Sequence, residues 1–398
     1  MAKVSQEQAL INEFEAEALE SFVSQLSKVT DPRRKQGQRY SLATILVTML
    51  VASICNANSA EAFAIFASEH EEEFAEFLDM PHGAPTQDVY LSVLANICIK
   101  EFGNLHNGLT AHIRSKMPGV LDDKHLAIDG KTSRRSFDTA SGKLSAHTLH
   151  VWSKASGIVI AQSDCDRKTN EIKLIPELLK ALNLKGCTVT IDAMGTQTQI
   201  VEQIVQQEGD YLIGLKSNQP TLFEDAQETF KAIEATIDRS DPSQYFESND
   251  KGHGRIENRK VYLCRDLTRF RTLHKWKGLA CIAVVVRSRT QLLSQKTTTE
   301  TQYYIGSHTS ASAKELGTLI RDHWSVENSC HWILDVAFGE DQARNRAKNS
   351  AQNFATLRLL ALAALKSDTT SKLSIVGRRV KASCNLKYAL SLIDINKN

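Results

Sequence analysis

HLAIDGK (125–131) and CTVTIDAMG (187–195) are two short apolar runs, each interrupted by an aspartate where the run ends: Asp129 in the first, Asp192 in the second. Aspartate is depleted in strands, so an acid at such a place asks for a reason beyond sheet propensity. Other strand-like runs surround this pair. HTLHVWSK (147–154) and GIVIAQSDCD (157–166) flank a turn at 155–157 and read as a hairpin. Residues 170–182 carry helical spacing at Ile172, Ile175, Leu178, Leu179 and Leu182. A second helix over 197–208 and a further strand, DYLIGLKSN (210–218), follow.

The order is three strands, helix, strand, helix, strand. Strands alternating with helices imply a mixed sheet covered on its faces, and this order is that of an RNase H-like α/β fold. A long interruption over 220–305 contains the basic stretch KGHGRIENRKVYLCRD (251–266), the strand-like CIAVVVRSR (281–289) and TQYYIGS (301–307), so it reads as a β-rich insertion. A long helix from 311 past Glu327 towards Leu334 then closes the core. Before all this, residues 1–115 read as an all-helical domain. Phe14, Leu19 and Phe22 are near helical spacing, DPRRKQGQR (31–39) is a turn, Ser41 is an N-cap, and Thr86 is placed to cap a later helix. The expected division is 1–115 helical, 120–219 first part of the core, 220–305 insertion, 306–365 last core helices, and 366–398 a basic tail.

If the strands ending in Asp129 and Asp192 pair in parallel, both acids lie on the sheet edge where open α/β sheets bind ligands. Half-buried acids need partners, and divalent cations are one kind. Magnesium takes oxygen ligands, and two such ions can activate an attacking hydroxyl and stabilise a leaving oxygen. Glu327, with Trp324 and His331 on about the same helix face, is the best third acid. The residues alone leave alternatives open. Either aspartate also reads as a turn residue or helix cap, Glu327 could pair with Arg321 or His323, and Asp335, Glu340 and Asp341 compete for the third place.

Composition excludes more than it assigns. A net charge of +2 gives no global basic field, so any nucleic-acid contact must come from local patches. The eight cysteines form no C-x-x-C pair and read as reduced thiols. The apolar stretch 42–55 contains Thr44, Thr48 and Ser53 and is shorter than the roughly 20 residues a bilayer requires. With an acidic, polar N-terminus in place of a signal sequence, the expectation is a cytoplasmic protein without a membrane role.

The words around the acids resemble a known family. AIDGKTSR (127–134), KTNEIKLIPELL (168–179), VTIDAMGTQ (189–197), GDYLIGLKSNQPTLFED (209–225), GHGRIENR (252–259) and HWSVENSCHWILDVAFGEDQARNR (323–346) are similar to the H-repeat-associated proteins. These are ISAs-type insertion-sequence transposases, whose DDE core carries a β insertion. DPRRKQGQRYSL (31–42) resembles the start of that family's N-terminal associated domain, and the likeness runs over residues 20–365 in matching order.

The resemblance implies Asp129, Asp192 and Glu327 as catalytic, metal-binding acids, with Mg²⁺ as the ion and Mn²⁺ able to substitute. It implies nicking at element ends and attack of a 3′-hydroxyl on target DNA. It also implies double-stranded DNA as partner, a homodimer bridging two ends, nucleoid association when bound, and no nucleotide cofactor. The competing readings are a nuclease without strand transfer and a DNA-binding remnant. The broader group has a tyrosine, an arginine and a lysine where this chain has Ile320, His323 and Leu334, so those phosphate contacts do not transfer. Arg321, His323, Arg344 and Arg346 are the local substitutes.

Further candidate DNA contacts are Lys131, Arg134 and Arg135 behind the first acid, Lys216 at a strand end, and Arg255 and Arg259 in the basic insertion segment. Trp276, Tyr303 and Tyr304 are candidates for stacking on an extruded base, or for the core. Arg33, Arg34, Lys35 and Arg39 near the N-terminus, and Arg378, Arg379 and Lys381 near the C-terminus, read equally as DNA contacts or solvated charge.

Overall fold

The computed structural model describes residues 25–26, 28–117, 123–137, 142, 144–165, 171–252 and 254–393. The proposed helix at Phe14, Leu19 and Phe22 lies outside them. The described chain is a mixed α/β structure in which helices cover a nine-stranded sheet of order β3-β2-β1-β4-β5-β9-β8-β7-β6.

β1 (His125–Thr132) pairs antiparallel with β2 (His147–Ser153), which pairs antiparallel with β3 (Ile158–Cys165). On its other side β1 pairs in parallel with β4 (Thr188–Ile191), and β4 in parallel with β5 (Asp210–Leu215). These five strands form the RNase H-like half. The β2–β3 turn is made possible by Gly157, whose φ of +65° is the left-handed region that glycine enters without a Cβ clash. Every residue of β2 and β4 is buried, as expected of strands covered on both faces.

The residues of the proposed insertion do not form a separate sheet. After a helix, Pro220–Ile233, strands β6 (Tyr245–Gly252), β7 (Arg255–Cys264), β8 (Cys281–Gln291) and β9 (Thr297–Gly306) make an antiparallel meander. Its last strand pairs with β5, so meander and core are one sheet. The meander is apolar at its core end and polar at its far end. β9 runs from five exposed residues at Thr297 to buried Ile305 and Gly306.

Helices Glu171–Lys180 and Thr198–Gln206 pack on the sheet through Ile175, Leu179, Ile200 and Ile204, and another set of helices forms a second body. α1 (Leu42–Ile54), α2 (Ala60–Glu69), α3 (Gln87–Asn96) and α4 (Ile99–Ser115) gather around α5 (Ser350–Ser367), whose residues 350–365 include only one, Gln352, that is not buried. Ser41 caps α1 by accepting from Thr44 N at 2.9 Å, as its sequence position predicts. Thr86 occupies the cap position of α3 but makes no side-chain cap bond. α5 carries no polar stripe because it has no solvent face. Its buried Asn353 donates to Leu94 O at 2.8 Å and Ile97 O at 3.1 Å, closing the end of α3.

Residues 366–393 are not a tail. They fold as α6 (Ile375–Cys384) and α7 (Leu386–Ser391), which pack on α1 and α5. Arg379, expected either on DNA or in solvent, is 1% exposed. It donates to the carbonyls of Ala337 and Ser53 and to Asn58 Oδ1, and stacks over Phe338. A guanidinium bound by two main-chain carbonyls and an amide oxygen is a helix-end clamp here, and the charge count of a segment does not reveal it.

The last helical segment begins at Ser312, which makes a reciprocal capping box with Glu315, and runs as α8 over Ala313–His323. It does not continue as uniform helix. At Glu327–His331 the hydrogen bonding widens to a π turn, then tightens again into Trp332–Ala337. Val326, Cys330, Leu334 and Phe338 recur at four-residue spacing and bury in the helical body. That anchored stripe fixes which residues turn towards the sheet edge.

Candidate active site

The site starts from strand register. In the parallel β1–β4 pair, Ile128 is the partner of Ile191, and that is the last matched pair. The next residue on each strand is an acid. Asp129 and Asp192 therefore stand side by side at one sheet edge, held by two strands whose residues leading up to the acids are buried. Beyond this point β4 ends in a tight turn, where Asp192 accepts from Met194 N at 3.0 Å. The cap reading of Asp192 and its edge position thus coexist. Asn218, one of the residues ending the β5 segment, closes the same turn by donating to Ala193 O at 2.8 Å.

Two glycines make room. A Cβ on Gly130 would lie 2.6 Å from Glu171 Oε1 and 2.8 Å from His147 Nε2, a buried hydrogen-bonded pair behind the acid. A Cβ on Gly214 would lie 3.0 Å from Ala193 N. Close approach, by side chains at Gly130 and by backbone at Gly214, rather than turn conformation, is the requirement.

Glu327 comes from the π turn. Its Oε2 lies 2.9 Å from His331 Nδ1, and the same nitrogen lies 3.7 Å from Asp129 Oδ2. Ligand atoms of Asp129, Glu327 and His331 all lie within 4.8 Å of one another, a spacing that could hold an ion. Asp192 is outside that tight trio but close enough to act on it electrostatically. Burial pushes the Asp129 carboxyl up to about 6; His331 and the Gly130 N–H oppose the shift, and the negative charges of Asp192 and Glu327 add to it. Glu327, hydrogen-bonded to His331, is held below the usual carboxylate range. Among the described residues no lysine or arginine forms an ion pair with any of the three acids.

Behind His331 lies His150 of β2, fully enclosed, with its Nδ1 3.1 Å from His331 Nε2. Burial and the neighbouring histidines keep His150 far below the ordinary imidazole range, so it is neutral. Cys330 is near both rings, but burial pushes its thiol up to about 12 and it stays protonated. His150 carries no sequence signal of its own, because β2 reads simply as a buried strand. His331 announces itself only through the four-residue spacing from Glu327.

The competing acids are occupied elsewhere. Asp335 binds Lys131 Nζ at 2.8 Å. Glu340, 2% exposed, accepts from Ser133 Oγ at 2.8 Å, and Asp341 pairs with Arg134 at 3.5 Å. Lys131 is itself buried, which corrects its reading as a phosphate contact: its ammonium is spent inside the protein. Trp276 needs the same correction. It is 5% exposed in the apolar core of the sheet and offers no face to a base.

The remaining candidates are distributed around the edge. Arg134, Arg135, Arg344 and Arg346 are exposed, Arg346 lying over the Phe137 ring. His323 is held 2.9 Å from Thr190 Oγ1, and burial drops its pKa to about 4, so it is a neutral hydrogen-bonding group and not a cation. A cavity of about 200 Å³ opens beside Asp192, lined by Lys216, His323, Tyr303, Tyr304 and the exposed Trp324. A larger groove of about 620 Å³ lies between β7, β8 and α8. Arg255, Arg259 and Arg321 line it together with Arg287 and Arg289, which the sequence reading did not single out. Buried Glu257 holds Arg255, Arg259 and Arg289, and Asp250 pairs with Arg259 and Arg321. Of the proposed N-terminal contacts, Arg33 is bound to Asp31 at 2.6 Å. No described helix is long and apolar enough to cross a membrane.

Comparison with known proteins gives this edge a context. Residues 116–364 match the family model described as Transposase DDE domain, and residues 23–109 match DDE_Tnp_1-associated. The Escherichia coli K12 "Putative protein YbfL" is 33% identical over 94% of this chain and 98% of its own length. The "H repeat-associated putative transposase YhhI" of the same organism is 32% identical over 94% of this chain and 98% of its own length. A piggyBac transposase synaptic complex with hairpin DNA aligns with 95% of this chain and 80% of its own at 10% identity, with a TM-score of 0.46. That level is too low to bear on function, and the fold assignment rests on strand order. The acids at the sheet edge therefore belong to a chain that is a member of the DDE transposase family.

Proposed function

We propose that this protein is a metal-dependent DNA transposase that cleaves strands at element ends and joins a freed 3′-hydroxyl to target DNA, with Asp129, Asp192 and Glu327 as its catalytic acids. The observation that carries the reading is the β1–β4 register, which sets two aspartates side by side, together with the π turn that adds Glu327 to them. Three mutually repelling carboxylates with no basic ion-pair partner among the described residues are a donor set that suits a hard divalent cation. Magnesium or manganese bound there would polarise the phosphodiester and lower the pKa of the attacking hydroxyl.

The protein's own groups do the rest. Asp129 and Asp192 are fixed by strand backbone, so the acids are preorganised before DNA arrives. Exposed Arg134, Arg135, Lys216, Arg344 and Arg346 surround the edge and suit phosphate contacts that position a duplex without reading its sequence. Neutral His323 and its Thr190 partner can donate or accept at the Asp192 side without adding charge. The partner is double-stranded DNA, engaged by a homodimer that brings two ends together, and the site of action is the cytoplasm.

The test is an in vitro assay on DNA carrying the flanking genomic repeats, with magnesium or manganese, scoring cleavage and joining separately. Both activities are expected, and both should vanish in chelator. Cleavage without joining points to a nuclease instead. DNA binding with neither activity points to a remnant that no longer transposes.

A further inference from the structure

The geometry points to His331 as a direct nitrogen ligand of one cation, making that position an Asp129–Glu327–His331 site and not one built from carboxylates alone; this rests on the metal-dependent reading above. Donors in adjacent places around an ion with bonds of about 2.1 Å lie about 3 Å apart. His331 Nδ1 is 2.9 Å from Glu327 Oε2 and 3.7 Å from Asp129 Oδ2. One edge of the coordination polyhedron thus has the right length already, and the other needs a shift of less than about 1 Å.

The far side of the ring supports the same assignment. A metal-bound imidazole donates its other N–H to an acceptor, which fixes ring orientation and tautomer. His331 Nε2 faces His150 Nδ1 at 3.1 Å, both rings buried, so when an ion replaces the Nδ1–H···Glu327 hydrogen bond the proton can move to Nε2 and donate to His150, which turns the Nδ1 lone pair to the two acids. His150 has no other side-chain hydrogen bond among the described residues.

The backbone supplies the third observation. The π turn spans Glu327 to His331, its two ends being the two ligands contributed by this segment. Single π turns inside α-helices are costly and recur at functional sites. Here the turn presents both side chains to Asp129, while Val326, Cys330 and Leu334 stay in the helical body. A mixed nitrogen and oxygen set favours manganese over magnesium relative to an all-oxygen one.

Electron paramagnetic resonance on the full-length chain titrated with manganese chloride, with electron spin echo modulation to detect coupled nitrogen, tests the assignment. Wild type should bind Mn²⁺ and show imidazole ¹⁴N modulation. Folded His331→Asn should lose it and bind Mn²⁺ about tenfold or more weakly. His323→Asn, altered at the imidazole on the Asp192 side, should keep it. Bound Mn²⁺ without nitrogen modulation in wild type overturns the proposal, as does modulation that survives in folded His331→Asn or disappears in His323→Asn. If His331→Asn does not fold, the wild-type and His323→Asn spectra still decide. Absence of any Mn²⁺ binding to wild type would sink the metal-dependent function itself, a different result from carboxylate-only binding.

Discussion

The segment 327–341 carries two groups of acids in opposite electrostatic situations. Asp335, Glu340 and Asp341 are each matched, to Lys131, Ser133 and Arg134 respectively, and buried Arg358 adds its charge behind them. Glu327, with Asp129 and Asp192 across from it, makes no ion pair with a lysine or arginine among the described residues: Lys131 and Arg134 act on it from a distance, and it leans on a histidine. The first group is internal scaffolding: it ties β1 and the loop behind it to the last helices across about two hundred residues of sequence. The second is charge held together at a cost, which is what a cation site looks like before its ion. Proximity along the chain does not separate the two groups. Their partners do.

The difference can be broken most severely at the unmatched acids. Asp129→Asn or Asp192→Asn should lower strand cleavage by at least about a hundredfold, while circular dichroism and DNA binding stay near wild type. An active Asp192→Asn protein would remove the second acid from the site.

At the matched group the expected damage is to stability. Glu340→Gln leaves buried Lys131 and Arg358 with less compensating charge and should cost about 2–4 kcal/mol in denaturant unfolding. Asp335→Asn, whose carboxylate is partly exposed against the buried Lys131, should cost about 1–2 kcal/mol once solvent screening is allowed for. Wild-type stability in both would mean the scaffold role is misassigned.

A finer separation uses pH. The Asp129 carboxyl is raised from its ordinary 3.8 to about 6 in the folded protein. Protonation is therefore favoured by folding: this contribution to stability is complete below about pH 4 and is lost as pH rises through about 6. In chelator, Asp129→Asn should thus be more stable than wild type at pH 7.5 by up to about 3 kcal/mol, with the advantage gone near pH 4. A gain that does not vary with pH would show that charge is not its origin.

The smallest effects belong to the rim. Lys216→Ala and Arg134→Ala should each weaken DNA binding several-fold at low salt and reduce the salt dependence by about one phosphate contact. Trp276→Phe should change neither, because the ring is in the core.

Much of this was legible in residue order. Acid-ending apolar runs gave the strand pair, Ser41 its cap and the glycine at 157 its hairpin, because each is set by local chemistry. Asp129 and Asp192 could be paired on the condition that their strands run in parallel, and the β1–β4 ladder meets it. What stayed hidden depends on long-range packing. Lys131 looks like any basic residue after a strand until Asp335, 204 positions away, folds onto it. Trp276 and Arg379 sit in polar or basic segments, yet the sheet core and the helix ends claim them. The π turn has no signature, since Val326, Cys330 and Leu334 keep ordinary helical spacing through it. A resemblance to a family placed Glu327 ahead of Asp335, and the Lys131 pair supplies a physical reason for that order.

The most direct measurement is a matched pair in one assay. Glu327→Gln and Asp335→Asn remove the same charge eight residues apart, and each is assayed for DNA cleavage with manganese at a temperature where both are shown to be folded. Glu327→Gln should be inactive and Asp335→Asn should retain most of the wild-type rate. Full activity in Glu327→Gln, with loss in folded Asp335→Asn, would contradict the assignment of the third acid.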